Sequence, residues 1–235
     1  MTTALMTVSG ISVEFGAVKA LAGVDLNIHA AQIHGVIGPN GAGKSTLIDV
    51  LSGRTRPSRG QVTFDGDDIT TASIEARRSL GIGRSFQRTS IFPSLTVADQ
   101  LNLVARHVGE HDVDTLIEAL GLTEVLDRTS GSIAYGTQRR IDLALAVMGT
   151  PKLLLLDEPA AGLTSDETSE LMVMVERFAR ERSVAVLLVE HDVEAVFAVA
   201  QHITVLDMGA KLAEGNPSTV RAMPEVIKAY LGSAA

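Results

Sequence analysis

A glycine-rich segment at residues 38–46 is the strongest chemical signal in this sequence. It reads Gly38-Pro39-Asn40-Gly41-Ala42-Gly43-Lys44-Ser45-Thr46. Glycines five positions apart, followed by lysine and serine, are the pattern of a phosphate-binding loop. Where side chains are absent, backbone N–H groups can converge on phosphate oxygens. Lys44 would reach the β- and γ-phosphates and the Ser45 hydroxyl would hold Mg²⁺, so we expect all nine residues to bind a nucleotide.

Two carboxylates end an apolar run later in the chain. Residues 153–156 are leucines, and Asp157 and Glu158 follow them. A strand of this kind places both side chains at the carboxyl edge of a sheet, where α/β folds bind ligands. Asp157 would hold Mg²⁺, directly or through water, and Glu158 would orient and deprotonate an attacking water. The alternative is an acidic pair that caps a helix before Pro159.

Two further polar residues follow predicted strands. His191 comes after the apolar run 184–189 and could hydrogen-bond a γ-phosphate. Gln87 ends the run 81–86, and its side-chain oxygen could reach the metal or the attacking water. Either residue, taken alone, also fits an ordinary surface position at the end of a strand.

A second place for a phosphate is Ala134-Tyr135-Gly136-Thr137. These residues precede or open a predicted helix at 138–147, and a helix start presents open amides and the positive end of the dipole. The segment lies far along the chain from residues 38–46. We therefore expect it to contact a phosphate that is bound by another subunit. The alternative is an ordinary helix start.

Phe15 and Val18 stand at the end of the first strand pattern. An aromatic ring at this place could stack on adenine, which is worth roughly 1–3 kcal/mol by analogy with base–aromatic stacking. A phenylalanine buried in the core fits the same spacing equally well.

The elements that would position these residues alternate along the sequence. Apolar strand-like runs and helical patterns follow one another, which predicts an α/β core with parallel strands. Residues 6–15 and 24–28 alternate apolar with polar side chains, as half-exposed antiparallel strands do. From about 96 to 147 the periodicity is only helical, which predicts a helical insertion between core strands. The other predicted strands are 33–37, 61–64, 81–86, 153–157, 184–189 and 203–207, and the core helices are 45–51, 166–182 and 193–200.

Composition limits the functional classes. The chain has 235 residues, 46% of them hydrophobic, which is enough for one substantial core. It has no cysteine, which excludes disulfides, thiolate metal sites and cysteine nucleophiles. With a net charge of -8 we expect no nucleic-acid partner, and we interpret Arg139-Arg140 as a solvated or interface patch. No apolar run approaches the ~20 residues of a membrane span, and we expect no signal peptide.

Together, in this order and spacing, the motifs resemble the ATP-binding subunits of ABC transporters along nearly the whole chain. The matching segments are residues 38–46 (Walker A), Gln87 (Q-loop), residues 133–137 (signature), residues 153–158 (Walker B), His191 (switch histidine) and Phe15 (adenine-stacking aromatic). The resemblance implies an α/β P-loop NTPase fold, an ABC ATPase core with an N-terminal antiparallel β-subdomain and a helical signature subdomain.

The same resemblance implies a division of the chain. Residues 1–235 would form a single ABC ATPase domain. Within it, 1–87 and 148–235 would form the ATP-binding core with its β-subdomain, and 88–147 would form the helical subdomain.

Partners and cofactors also follow from the resemblance. The cofactors would be ATP and Mg²⁺. One chain would hold half of each ATP site, and a second ABC ATPase subunit, the same or a paralogous chain, would complete it with residues 134–137 in trans. Transmembrane permease subunits would bind near Gln87 and the helical lobe, and an external solute-binding protein would act indirectly. The chain would be a peripheral protein at the cytoplasmic face of the inner or plasma membrane.

Finer features are similar to the branched-chain amino acid subgroup. They are residues 83–87, 92–97, 134–136, 158–163, 189–192 and 225–232. They imply an importer of branched-chain amino acids or related small polar solutes. An ATPase of lipid or lipopolysaccharide export shares the catalytic motifs and stays open as an alternative. A non-transport ABC ATPase of DNA repair or translation is disfavoured by the short insertion, the single cassette and the acidic balance.

Two positions depart from the family pattern. Ala134 stands where the signature has serine, whose hydroxyl would donate to the γ-phosphate, and such a charged hydrogen bond is worth roughly 1.5–3 kcal/mol. Thr164 stands where the segment after Walker B usually ends in aspartate or asparagine, a residue class that helps to position the opposite site. For Ala134 we expect a weakened phosphate contact without loss of activity, because backbone amides near Gly136 could still donate. Thr164 puts the communication between the two ATP sites in question.

Overall fold

The computed structural model describes residues 4–85 and 90–231 of the chain. Its strands are β1 (Met6–Phe15), β2 (Val18–Ile28), β3 (Ile33–Ile37), β4 (Arg59–Phe64), β5 (Asp67–Asp68), β6 (Ile82–Arg84), β7 (Leu153–Asp157), β8 (Ala185–Val189), β9 (His202–Asp207) and β10 (Ala210–Gly215). Its helices are α1 (Lys44–Leu51), α2 (Ile74–Ser79), α3 (Val97–Val108), α4 (Val113–Ala119), α5 (Tyr135–Val147), α6 (Ser165–Glu181), α7 (Val193–Val199), α8 (Pro217–Arg221) and α9 (Pro224–Leu231).

The larger sheet has six strands in the order β10-β9-β3-β8-β7-β6. Neighbouring strands are parallel, except that β10 pairs antiparallel with β9. On β7, Leu153 and Leu155 pack into one core, whereas Leu154 and Leu156 pack into the other. Burial on both faces explains why the inner strands are uninterrupted apolar runs. Because parallel strands end at one edge, the residues that follow β3, β7 and β8 come together there.

The smaller sheet is antiparallel, in the order β2-β1-β4-β5. Along β1, Val8, Ile11 and Val13 are buried, and the residues between them are more exposed. This alternation confirms the prediction of half-exposed antiparallel strands. The buried side chains share a core with Leu47 and Ile48 of α1. The small sheet therefore supports the helix that begins at the phosphate loop.

Residues 90–152, the described part of the chain between β6 and β7 beyond Ser85, contain α3, α4 and α5 and no strand of either sheet. Helix α3 begins after Thr96, whose hydroxyl accepts a hydrogen bond from the Asp99 N–H. Leu101 of α3 and Ile141 of α5 belong to the same apolar core as α6 and α7. The predicted helical insertion is confirmed. Among the described helices, none is long and apolar enough to cross a membrane.

Element boundaries differ from the prediction at several points. Helix α5 begins at Tyr135 rather than at 138, and β2 begins at Val18 rather than at 24. The patterns did not predict the short helices α2, α8 and α9. The run 81–86 is seen as β6, and Phe86 lies outside the described residues, as does Gln87.

Candidate functional site

The phosphate loop joins β3 to α1 at the edge where the parallel strands end. Gly43, directly before α1, has a φ of 101°. A Cβ at this position would lie 2.6 Å from the Ala20 carbonyl oxygen and 2.7 Å from Leu21 Cδ2. Because backbone cannot move aside as a side chain can, only glycine fits here. The loop thus leads into the start of α1, whose open amides and positive dipole end suit a phosphate.

Lys44 places its ammonium group inside this loop. Its Nζ donates to the carbonyl oxygens of Gly38 at 2.7 Å and Pro39 at 2.9 Å, and the residue is only 5% exposed. Burial lowers the pKa of Lys44, and the carboxylates of Glu158 and Asp157 oppose that shift. The cation is therefore held at the loop, within electrostatic reach of both predicted acidic residues.

Ser45 and Asp157 meet at this edge although 112 positions separate them in the sequence. The Ser45 hydroxyl donates to Asp157 Oδ1 at 3.4 Å. Burial raises the pKa of Asp157, and the Arg84 guanidinium is the main group that lowers it. Neighbouring hydroxyl and carboxylate oxygens are the donors that Mg²⁺ prefers. The pair therefore fits the metal that the sequence predicts.

Glu158 and His191 are in direct contact. His191 Nε2 lies 2.6 Å from Glu158 Oε1. The φ of Glu158 is 51°, in the left-handed region, which costs a non-glycine residue about 1–3 kcal/mol. Its N–H donates to the Val189 carbonyl at 2.8 Å, which helps to hold this conformation. The Glu158 side chain is 7% exposed and that of His191 51%, so the pair extends from the buried sheet edge to the surface.

A buried carboxyl that sequence reasoning missed lies behind this pair. Glu190 accepts hydrogen bonds from the N–H groups of Ala160 at 2.6 Å and His191 at 3.2 Å. Burial raises its pKa to about 7, against those hydrogen bonds. Glu190 thus joins the backbone after Glu158 to the backbone of His191. Its position directly after the apolar run of β8 is the signal that could have identified it.

Many of the predicted residues line one cavity of about 300 Å³, a volume typical of small-molecule sites. Gly38, Pro39, Phe15 and Asp157 are not in its lining, and Asp157 is connected to it through the hydrogen bond from Ser45. Its lining residues are Val18, Lys19, Ala20, Asn40, Gly41, Ala42, Gly43, Lys44, Ser45, Thr46, Glu158 and His191. Phe15 is 57% exposed at the turn between β1 and β2, which excludes the alternative of a core phenylalanine. Its adenine contact stays a prediction, as does every role assigned to Gln87, which lies outside the described residues.

The signature segment, residues 133–137, is absent from the described lining of that cavity. Ala134 is the N-cap of α5 and makes no side-chain capping hydrogen bond. A Cβ on Gly136 would lie 2.6 Å from Glu167 Oε1, and Tyr135 is 44% exposed. The structure therefore gathers the Walker A, Walker B and switch residues and leaves the signature residues at a separate helix start.

Thr164 and Glu167 explain one departure from the family pattern. Thr164 is the N-cap of α6, and its hydroxyl accepts from the Glu167 N–H at 3.4 Å. Glu167 Oε2 accepts in return from the Thr164 N–H at 2.9 Å. This capping box satisfies two open amides. Threonine here does the local structural work of a capping aspartate or asparagine.

One interpretation of the basic residues is wrong. Arg139 is buried, not solvated, and its guanidinium donates to the Ala161 carbonyl at 3.3 Å. It also lies over the Tyr135 ring, 5.2 Å from the centroid. The arginine ties α5 to the segment after Walker B, because a guanidinium can stack and donate at once. Arg140 is more exposed and pairs with Glu170.

The known proteins that this chain resembles agree with the site described above. A family model described as ABC transporter matches residues 21–161, more than half of the chain. A second model, described as branched-chain amino acid ATP-binding cassette transporter, matches residues 210–235. The high-affinity branched-chain amino acid transport ATP-binding protein BraF of Pseudomonas aeruginosa is 37% identical, with 100% of both chains covered. The corresponding protein LivG of Escherichia coli is 33% identical over the same full coverage.

Solved structures agree. A nucleotide-free ATP-binding cassette from an ABC transporter is 27% identical with a TM-score of 0.88, covering 97% of this chain and 99% of that one. The ADP conformation of an ATP-binding cassette of an ABC transporter is 28% identical with a TM-score of 0.88, covering 98% and 100%. The chain therefore belongs to the ABC transporter ATP-binding family and, within it, to the branched-chain amino acid ATP-binding cassette group.

Proposed function

We propose that this chain hydrolyses ATP at the cytoplasmic face of a membrane and thereby powers an importer of branched-chain amino acids or related small polar solutes. The observation that carries the proposal is the meeting of a phosphate-loop lysine, a Ser45–Asp157 pair and a Glu158–His191 pair around one cavity. The names of the relatives give branched-chain amino acid transport, which supports this solute class over the lipid or lipopolysaccharide of the alternative.

Binding in this proposal begins with charge. The Lys44 ammonium exchanges its two carbonyl acceptors for the β- and γ-phosphate oxygens, and the amides at the start of α1 add further donors. Ser45 and Asp157 would hold Mg²⁺, which supplies positive charge that neutralises the phosphate oxygens. Phe15, which is exposed at the end of β1, three positions before the cavity residue Val18, would stack on the adenine.

Hydrolysis depends on where the Glu158 carboxylate points. Glu158 accepts a proton from the attacking water. At the same time the water oxygen bonds to the γ-phosphorus, and the bond between the γ-phosphorus and the bridging oxygen to the β-phosphate breaks. His191 donates a hydrogen bond to Glu158 Oε1 and fixes its orientation. Holding the base in place in this manner contributes through positioning rather than through new chemistry.

A second ATPase chain is required in the proposal because the signature residues do not line the cavity. Residues 134–137 of one chain would close on the phosphates held by the loop of the other. The first turn of α5 has no side-chain cap, so its amides would be available to donate to a phosphate.

An apolar groove supports the contact with a permease. It has a volume of about 390 Å³ and is lined by core and helical-segment residues, including Ile74 of α2, Phe92, Val104 of α3 and Leu145 of α5. Ile74 and Phe92 are exposed, and a groove of this kind suits the apolar face of a short helix. We assign it to a cytoplasmic helix of the permease. Phe92→Asp should abolish copurification with the permease and leave ATP binding by the isolated chain unchanged.

Reconstitution tests the whole proposal. The complex that copurifies with this chain is placed in proteoliposomes with its external binding protein, and ATP-dependent uptake of labelled leucine is measured. Uptake that requires ATP and is lost with Glu158→Gln is the expected result. Uptake unaffected by Glu158→Gln would refute the mechanism, and a complex that moves lipid instead of amino acid would refute the assigned direction and solute.

A further inference from the structure

Asp157 uses its two carboxylate oxygens for different partners. Oδ1 accepts from the Ser45 hydroxyl, and Oδ2 faces Nη2 of Arg84, each at 3.4 Å. The Asp157 side chain is buried, and so is most of the Arg84 side chain. A carboxylate held at both oxygens cannot rotate freely about its last bond. The direction in which Oδ1 points is therefore set in part by Arg84.

Helix α1 fixes the arginine from the other side. Nη1 of Arg84 donates to Asp49 Oδ1 at 2.6 Å and to Ser52 Oγ at 2.7 Å. Ser45, Asp49 and Ser52 follow one another at i, i+4 and i+7, so they lie on one face of the helix and its cap. Arg84 runs along this face and reaches Asp157 at its end. The planar guanidinium fork suits such a bridge between two carboxylates.

Arg84 also reduces the electrostatic repulsion between neighbouring carboxylates. Asp49, Asp157 and Glu158 bring three carboxylates to one side of the phosphate loop, and like charges at short range repel one another. A cation placed between Asp49 and Asp157 offsets that repulsion before any metal binds. Lys44 adds positive charge at the loop itself, but its ammonium group is the one that would bind the nucleotide phosphates.

We propose that Arg84 is a positioning residue for the metal: it aims Asp157 Oδ1 toward Ser45 and ties this direction to helix α1 through Asp49 and Ser52. The inference rests on the proposed metal-dependent use of ATP. Arg84 contacts neither phosphate nor metal in this scheme, and it acts through Asp157 alone. Partners that orient a metal ligand commonly matter by about 10–100-fold in metal affinity.

The test measures metal binding directly. The full chain is saturated with ADP, and Mn²⁺ binding, as a spectroscopic substitute for Mg²⁺, is followed by electron paramagnetic resonance. Arg84→Gln should raise the Mn²⁺ Kd by about 10–100-fold. Arg84→Lys should give a Kd between those of wild type and Arg84→Gln, because lysine keeps the positive charge but lacks the planar guanidinium. The affinity for ADP in EDTA should stay within about twofold of wild type, since phosphate binding does not use Arg84.

Controls separate positioning from folding. Arg182→Gln removes an arginine from a more exposed ion pair, with Asp112, and should leave the Mn²⁺ Kd unchanged. If Arg84→Gln unfolds, Asp49→Asn is the second variant. It retains the arginine but removes the carboxylate that pairs with Arg84 Nη1, and it should therefore weaken Mn²⁺ binding.

Three results would overturn the proposal. One is a wild-type Mn²⁺ Kd in a folded Arg84→Gln or in Asp49→Asn. Another is an equal loss of metal-free ADP binding in Arg84→Gln, which would indicate a general structural role. The third is a wild-type chain that binds no Mn²⁺ with ADP, which would overturn the proposed function as well.

Discussion

In the core of this molecule, Lys44, Asp157 and Glu158 are buried and held by contacts between separate strands and helices. In the helical insertion, Tyr135 is exposed, and Ala134, the N-cap of α5, makes no side-chain capping hydrogen bond. The first region is assembled within one chain, since three parallel strands deliver its parts to one edge. The second presents a helix start that has no side-chain cap. In the proposed two-chain site, the first half would therefore be prepared before assembly, and the second would become functional only on assembly.

The largest predicted effect tests whether the core half carries the chemistry. Glu158→Gln keeps the shape of the side chain but removes the proton acceptor. We expect ATP binding to be preserved and turnover to fall by about 10²–10⁴-fold, the usual contribution of a positioned base. Nucleotide titration and phosphate release measure the two quantities separately. Exposed Glu124→Gln is the matched control, and hydrolysis at the wild-type rate in Glu158→Gln would remove its assignment as base.

Lys44→Ala tests the binding side of the same region. The variant loses a buried cation that can donate to two phosphate oxygens, so we expect the Kd for ATP to rise by about 100-fold or more. Calorimetry measures this loss directly. Lys152→Ala removes an exposed lysine paired with Asp65 and should change the Kd by less than about twofold. Equal affinity in Lys44→Ala and wild type would contradict the loop assignment.

Glu190 makes the stability of the fold depend on pH. Its pKa is raised from 4.5 to about 7 in the folded chain, so the folded state binds more protons than the unfolded state between these values. The free energy of unfolding therefore falls as pH rises through this window, by at most about 3 kcal/mol from this group. Glu190→Gln should remove that slope while its side-chain oxygen still accepts from the Ala160 N–H.

Urea unfolding at pH 5 and pH 8 measures the slope. The difference between wild type and Glu190→Gln isolates this carboxyl from the others, and exposed Glu225→Gln should follow the wild type. Parallel pH dependences in wild type and Glu190→Gln would show that the carboxyl titrates normally in the fold.

Gly136→Ala tests the helical region in isolation. The added Cβ would meet Glu167 Oε1 at 2.6 Å and displace this carboxylate, whose other oxygen, Oε2, accepts from Thr164 in the capping box. We expect a loss of about 1 kcal/mol in stability, as for other lost caps, and unchanged nucleotide binding by the single chain. Hydrolysis should fall at least about tenfold, because a phosphate contact in trans is blocked.

A second variant separates these two effects. Glu167→Ala removes the cap but leaves the space beside Gly136 open, so it should lose stability and keep hydrolysis. If Gly136→Ala weakens nucleotide binding by the isolated chain, the two halves are not independent and the comparison fails. If both variants hydrolyse ATP alike, the glycine serves packing alone.

How far the sequence predicts this molecule depends on how local the signal is. Asp157 ends the apolar strand β7 and His191 lies two positions after β8, so a parallel sheet with its ends aligned is enough to bring them together. Arg84 carries no comparable local signal, because its partners lie 35 and 73 positions away. The sequence predicts that α5 begins at 138, later than its observed start at Tyr135, because alanine at the N-cap gives no capping pattern. Side-chain networks between elements are thus the part that local patterns do not contain.

Ala134→Ser has the smallest expected effect and tests most directly the uncapped start of α5 in the helical insertion. The backbone of Ala134, with φ -57° and ψ 145°, already has a cap conformation, so serine should stabilise the chain by about 1 kcal/mol and raise the melting temperature by about 2–4 °C. A hydroxyl can accept from a helix amide and donate to a phosphate at the same time. We therefore also expect faster hydrolysis, by up to about tenfold. Ala134→Asp caps equally well but repels phosphate, so it should gain the stability and lose the rate. If serine and aspartate raise hydrolysis equally, the gain comes from helix order alone, and the helical region would not reach the phosphate of a partner chain.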